Sequence, residues 1–176
     1  MKVLLVGGSR SGKSGLAQNI ILKLAAGGPV VYWAAMEPVD EEDDIRIAKH
    51  LRDREGLGFI TIERGRRLSE VSVAPEASVL FDSVTALLAN EMFFDGTVDA
   101  SAGERAANEL TELGRRVKNL VCVSDDIFRD GGRYSETTEL YRRSLALAVR
   151  SLAEEFDAAA EVVCGVPSFK KGALPE

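Results

Sequence analysis

A mixed α/β fold with a mostly parallel sheet is predicted by three observations. Short apolar runs alternate with longer amphipathic segments, the runs are unbroken in hydrophobicity, and the first connection between a run and a helical segment is rich in glycine. Unbroken Val- and Leu-rich runs suit strands covered on both faces, and strand–helix alternation lays such strands parallel through right-handed crossovers.

The elements follow in order. The strand-sized runs are KVLLV (2–6), PVVYWAA (29–35), SVLFDS (78–83), NLVCVS (119–124) and AEVVCGV (160–166). Helices are predicted near 13–26, 40–54, 83–94, 100–118 and 135–157. The 40–54 segment begins with a crowd of acids and ends in bases, the order that the helix dipole favours. GFITIERG (58–65) alternates apolar and polar residues and reads as an extra strand or hairpin arm. SFKKGALPE, at the end, has the composition of a frayed tail. No repeat or low-complexity tract divides the chain, and 176 residues with 45% hydrophobic content suit one domain over 1–176.

A formal charge of −6 and a pI near 5.0 argue against a nucleic-acid partner, whose phosphates need many opposing Lys and Arg. No run approaches the apolar length of a membrane span, and the start lacks an export pattern, so a cytoplasmic protein is expected. Cys122 and Cys164 both lie in β-branched runs and read as small buried hydrophobes. The chain has one histidine, His50.

Between the first run and the first helix stands VGGSRSGKS. Gly7, Gly8, Ser9, Arg10, Ser11, Gly12, Lys13 and Ser14 satisfy G-x-x-x-x-G-K-[ST], in the strand-to-helix context that gives the string structural meaning. Glycines permit close approach of backbone to phosphate, successive N–H groups and the helix start attract anions, Lys13 reaches the β and γ phosphates, and Ser14 offers a hydroxyl to Mg²⁺. The fold is therefore predicted to be a P-loop NTPase (RecA-like) three-layer fold. Asp82 ends an apolar run where such sheets hold ligands, and reads as a second metal ligand or as the N-cap of the helix after it. The loop alone serves kinases, NTPase switches and nucleotidyltransferases equally.

His50 follows Arg46 by four residues, with Arg54 one turn further, so one helix face would present cation, imidazole and cation. A neutral imidazole there is a competent nucleophile toward phosphorus; the alternative is an idle surface histidine. Trp33 reads as core or base-stacking, with core favoured by its strand, and Phe59 could stack on a base. DDIFRDGGR (125–133) is predicted to be a mobile loop over the site, and Arg64, Arg66 and Arg67 a solvated turn.

These residues resemble the bifunctional adenosylcobinamide kinase/adenosylcobinamide-phosphate guanylyltransferase family. Gly7 to Ser14 match its G-G-x-R-S-G-K-S, and Tyr32 to Met36 resemble its Y-I-A-T-A. Asp40, Glu42, Arg46, Ile47 and His50 fall in register with D-x-E-M-x-x-R-I-x-x-H. Arg54, Phe59, Thr61 and Glu63 echo R-x-x-x-W-x-T-x-E; Asp82, Ser83, Val84, Thr85 and Asn90 echo D-[CS]-[LV]-T and a later Asn. The likeness is close over about 1–95 and looser beyond. There the family's T/S-N-E-V-G-x-G-I-V-P is replaced by Ser124-Asp-Asp-Ile-Phe-Arg-Asp-Gly-Gly-Arg133, while a late G-[IV]-P persists as Gly165-Val166-Pro167.

The resemblance implies two reactions: phosphorylation of a cobinamide hydroxyl by GTP or ATP, then transfer of GMP from GTP through a guanylyl-His50. It implies Mg²⁺, a corrinoid acceptor, a homo-oligomer (a trimer), and a nucleotide flanked by Ala34, Ala35, Met36, Leu51, Arg52, Asp53, Arg54, Glu63 and Asp82. Two other readings are a P-loop small-molecule kinase without the second activity, and a non-catalytic nucleotide-binding regulator.

Overall fold

The computed structural model describes residues 1–36 and 56–174. The predicted helix at 40–54, with His50, Leu51, Arg52, Asp53 and Arg54, lies outside the described residues. Strands β1 (Lys2–Gly7), β2 (Val30–Ala34), β3 (Phe59–Glu63), β4 (Ser78–Asp82), β5 (Asn119–Asp125), β6 (Ala158–Val163) and β7 (Val166–Lys171) form one sheet in the order β3-β2-β4-β5-β1-β6-β7. All neighbours pair parallel except β6 with β7. The helices described are α1 (Lys13–Ala25), α2 (Val84–Met92), α3 (Ala102–Arg116) and α4 (Glu136–Glu155).

The period of two along each strand divides the core. Val3, Leu5, Tyr32, Leu80, Val121 and Val123 pack on the face that α1 covers. Leu4, Trp33, Val79, Phe81, Leu120 and Cys122 pack against α2, α3 and α4 on the other. The predicted three-layer P-loop fold is thus observed. Trp33 and Phe81 are fully buried, and their rings lie 6.1 Å apart; burying side chains of this size stabilises by roughly 1.5–3 kcal/mol each. Trp33 is a core residue, its indole N–H satisfied by Arg64 O at 2.8 Å. Cys122 is buried as expected, and burial pushes its thiol pKa up.

Three expectations change, and a fourth is decided between its two readings. The terminal segment is not a frayed tail: Val166–Lys171 is an antiparallel edge strand on β6. The fifth run forms a strand at Ala158–Val163, and Cys164 lies exposed in the turn after it. GFITIERG supplies a parallel edge strand, not a hairpin arm. Phe59 starts β3 at the end of the sheet opposite the glycine-rich loop, and packs with the α1-side core, away from any base held at that loop.

Candidate active site

Parallel pairing brings the carboxyl ends of β1, β2, β3, β4 and β5 to one edge. Glu63 pairs with Ala34, Ala34 with Asp82, Asp82 with Val123, and Gly7 with Asp125. Residues in register point to the same face, and so do residues two apart. Val123 packs on the α1 side, which sends Asp82, Asp125, Ala34 and Glu63 to the face where α1 begins.

The loop from Gly8 to Gly12 links β1 to α1. It turns by a Ser11 N–H bond to Gly8 O at 3.2 Å, and left-handed backbone at Arg10 (φ 58°) and Gly12 (φ 86°) carries it into the helix. Gly12 needs that conformation, and it also needs space: a Cβ there would lie 3.0 Å from Gly165 Cα. A Cβ on Gly7 would meet Val162 O at 2.6 Å. Gly165 N–H donates to Ser11 O at 2.7 Å. The retained Gly165-Val166-Pro167 therefore belongs to the site, because the β6–β7 turn clamps the loop.

No side chain caps α1, and its first turn has no acid. Its N–H groups and dipole are available to an anion. Lys13 is 7% exposed, and its Nζ donates to Gly8 O at 3.1 Å and pairs with Asp125 Oδ1 at 2.6 Å. Asp82 accepts from Tyr32 OH at 3.1 Å. Asp82 is not the cap of α2; Ser83 is, accepting from Ala86 N–H at 3.2 Å.

The other family-like positions brace this edge. Thr85 Oγ1 accepts from Asp125 N–H at 2.9 Å, and Tyr141 OH donates to Thr85 O at 2.9 Å. Burial, and then the nearby Asp125 charge, push the Tyr141 phenol up to about 12, so it stays a donor across the physiological range. Asn90 Nδ2 donates to Ala35 O at 2.7 Å and Gly65 O at 3.2 Å, fastening the segments that follow β2 and β3. Asp126 and Glu161 both pair with Arg129, which ties the segment after β5 to β6. The basic turn is more than solvated: Arg64 pairs with Glu70, and the Arg66 guanidinium lies 3.2 Å over the Phe94 ring.

Motif reading left unassigned the pairing of Asp125 with Lys13 and the contact of Gly165, noted only as part of G-[IV]-P, with the loop. Asp125 carries the signal that singled out Asp82, a carboxylate ending an apolar run, and only strand order distinguishes them by placing β5 beside β1.

A family model described as "Cobinamide kinase / cobinamide phosphate guanyltransferase" matches residues 3–169. The chain belongs to this family. The match extends through the looser second half, to the β7 strand. Among relatives, the "Bifunctional adenosylcobalamin biosynthesis protein CobP" of Pseudomonas aeruginosa is 30% identical over 176 residues, covering 98% of each chain. The "Bifunctional adenosylcobalamin biosynthesis protein CobU" of Escherichia coli is 32% identical over 127 residues, 70% of this chain and 67% of the relative. Solved structures that resemble the chain include the P4 protein from bacteriophage phi6 in complex with ADP, at TM-score 0.46 and 18% identity, covering 95% of this chain and 52% of that one. The flagellar accessory protein FlaH from Methanocaldococcus jannaschii gives 0.47 and 14%, covering 97% and 78%.

Proposed function

We propose that this chain carries out both reactions of its family, using one triphosphate cradle for two different phosphorus atoms. In the first, the hydroxyl of adenosylcobinamide attacks the γ phosphorus. The bond to the β-bridging oxygen breaks, the nucleoside diphosphate leaves, and the hydroxyl proton passes to solvent. In the second, a His50 nitrogen attacks the α phosphorus of GTP and pyrophosphate leaves. The phosphate of adenosylcobinamide phosphate then displaces the imidazole, so a hard encounter is split into two easier ones.

The observation that carries this reading is the convergence at one sheet edge of an uncapped helix start, the Lys13 ammonium and the Asp82 and Asp125 carboxylates. Gly7 to Ser14 hold the phosphates, and Ala34, Ala35, Met36, Glu63 and the 51–54 segment flank the nucleotide. Mg²⁺ suits the donors present: the Ser14 hydroxyl and Asp82 carboxylate are hard oxygen ligands. Among the described residues no group of three His, Cys, Asp or Glu could hold a metal ion; Mg²⁺ at a nucleotide site takes much of its shell from phosphates and water. Bound there, it would neutralise triphosphate charge. The phosphate donor is GTP or ATP, the protein acts in the cytoplasm, and it assembles as a homotrimer. Among the described residues no helix is long and apolar enough to cross a membrane.

The test is intact-protein mass spectrometry after incubation with GTP and Mg²⁺. An adduct with the mass of GMP is expected in the wild type and absent in His50→Ala, which still phosphorylates adenosylcobinamide. Absence of the adduct from the wild type under turnover conditions, or equal loss of both activities in His50→Ala, overturns the division of labour.

A further inference from the structure

Lys13 is the cation expected to hold the triphosphate, yet in the structure its strongest partner is a carboxylate of the protein. Nζ lies 2.6 Å from Asp125 Oδ1. The two ends of this pair differ in freedom. Asp125 is the last residue of β5, in register with Gly7; its N–H is held by Thr85 Oγ1, and the next N–H, of Asp126, donates to Gly7 O at 2.9 Å. Tyr141 braces Thr85 from α4. Lys13 has a four-carbon stem and a compact ammonium that rotates freely among acceptors. The backbone that carries the short Asp125 side chain is fixed, and the ammonium rides on the longer stem.

A phosphate oxygen on the same Nζ would sit about 4.5 Å from Asp125 Oδ1, the separation of two acceptors sharing one ammonium at ordinary hydrogen-bond lengths. At that range two oxyanions repel, and each weakens the hold of the other on Lys13. Asp125 also stands where the resembled pattern T/S-N-E has a neutral asparagine.

We propose that Asp125 is a positioning residue that acts through Lys13: it competes with the phosphates for the ammonium and sets how tightly the cradle holds nucleotide. The inference rests on the two-reaction reading, which gives it a purpose. One cradle must release a diphosphate after γ transfer before a fresh GTP is used for α attack. A carboxylate on a firmly held strand end that takes Lys13 back as product leaves keeps the diphosphate from lingering, and release of product commonly limits turnover.

The experiment compares wild type, Asp125→Asn and Asp125→Glu by calorimetric titration with GDP and with a non-hydrolysable GTP analogue, at fixed Mg²⁺. Steady-state kinase kinetics and a thermal unfolding midpoint are measured on the same preparations. Asparagine keeps the shape and can still accept a hydrogen bond, but it removes the charge. Asp125→Asn is expected to bind both nucleotides on the order of tenfold more tightly (about 1.4 kcal/mol). Its KM for nucleotide falls and its kcat does not rise. Asp125→Glu, which keeps the charge, stays nearer to wild type than Asp125→Asn does. Unchanged or weaker binding by a folded Asp125→Asn overturns the inference, since a residue that merely supports the loop would weaken it. Equal tightening in Asp125→Glu overturns it as well. Failure of the wild type to bind either nucleotide is a different result, and contradicts the functional reading itself.

Discussion

Helices α1 and α4 begin in opposite ways. At α4, Ser135 Oγ accepts from Thr138 N–H at 3.2 Å, and Glu136 and Glu139 place acids in the first turn. At α1, the cap position is Gly12 in left-handed backbone, with no side-chain bond and no acid in the first turn. The start of α4 is satisfied from within the chain, whereas that of α1 keeps its N–H groups and dipole for an external anion. The lesson is that a binding site can be recognised by stabilising features the fold withholds. Helix α3 is an intermediate case: Ser101 makes no cap bond, but Asp99 accepts from Ser101 N–H at 2.8 Å and from its hydroxyl at 2.7 Å.

The comparison breaks most directly if α1 is given what α4 has. Gly15 lies in the first turn of α1, is exposed, and a Cβ there meets nothing within 4 Å. Gly15→Glu is expected to weaken nucleotide binding on the order of tenfold, because its carboxylate occupies the positive helix end. Gly15→Ala should retain affinity and stabilise the protein by up to about 1 kcal/mol. Nucleotide titration and urea unfolding of both variants check this, and wild-type affinity in Gly15→Glu would show that the helix start is not used. The reverse change is smaller. Ser135→Ala removes a cap whose bonds run to Thr138 and not to the glycine-rich loop, and should cost about 1 kcal/mol in urea unfolding with nucleotide affinity intact.

The smallest effect concerns α3 and pH. Hydrogen bonds from Ser101, first from its hydroxyl and then from its N–H, and next from Arg105, lower the Asp99 pKa from 3.8 to about 2. A depressed carboxylate contributes stability above its unfolded pKa and loses it as pH falls through the folded one. The stability gap between wild type and Asp99→Asn should therefore be full at neutral pH and close between about pH 4 and about pH 2, read from denaturation midpoints along a pH series.

What the sequence made legible follows from how local each signal is. The cradle lies within a few residues, so Gly7 to Ser14 were readable as a unit. The core strands β1, β2, β4 and β5 carry unbroken apolar runs and were placed to within a residue. The edge strand β7 escaped because only Pro167 and Phe169 are half-covered, while the apolar Val166 lies exposed on the face of Ser168 and Lys170, so hydrophobicity does not sort by face. Cys164 was misplaced because an apolar run continued through a turn, where Gly165 at φ 78° reverses the chain. The roles of Asp125 and Gly165 escaped for another reason. Their relation to Lys13 and Gly12 is fixed by strand order and by contacts that span most of the chain, and no local pattern records either.

The contact between Gly12 and the β6–β7 turn has a consequence for biosynthesis. The phosphate cradle is encoded by Gly7 to Ser14, but the residues that close on it, Val162 and Gly165, are made well over a hundred residues later. Folding that proceeds from the amino terminus during translation can form β1 and α1 early. It cannot seat the loop between them until β6 has paired with β1 and the final turn has closed. A ribosome-bound nascent chain therefore carries the whole nucleotide motif without its finished shape until the β6–β7 segment has also emerged.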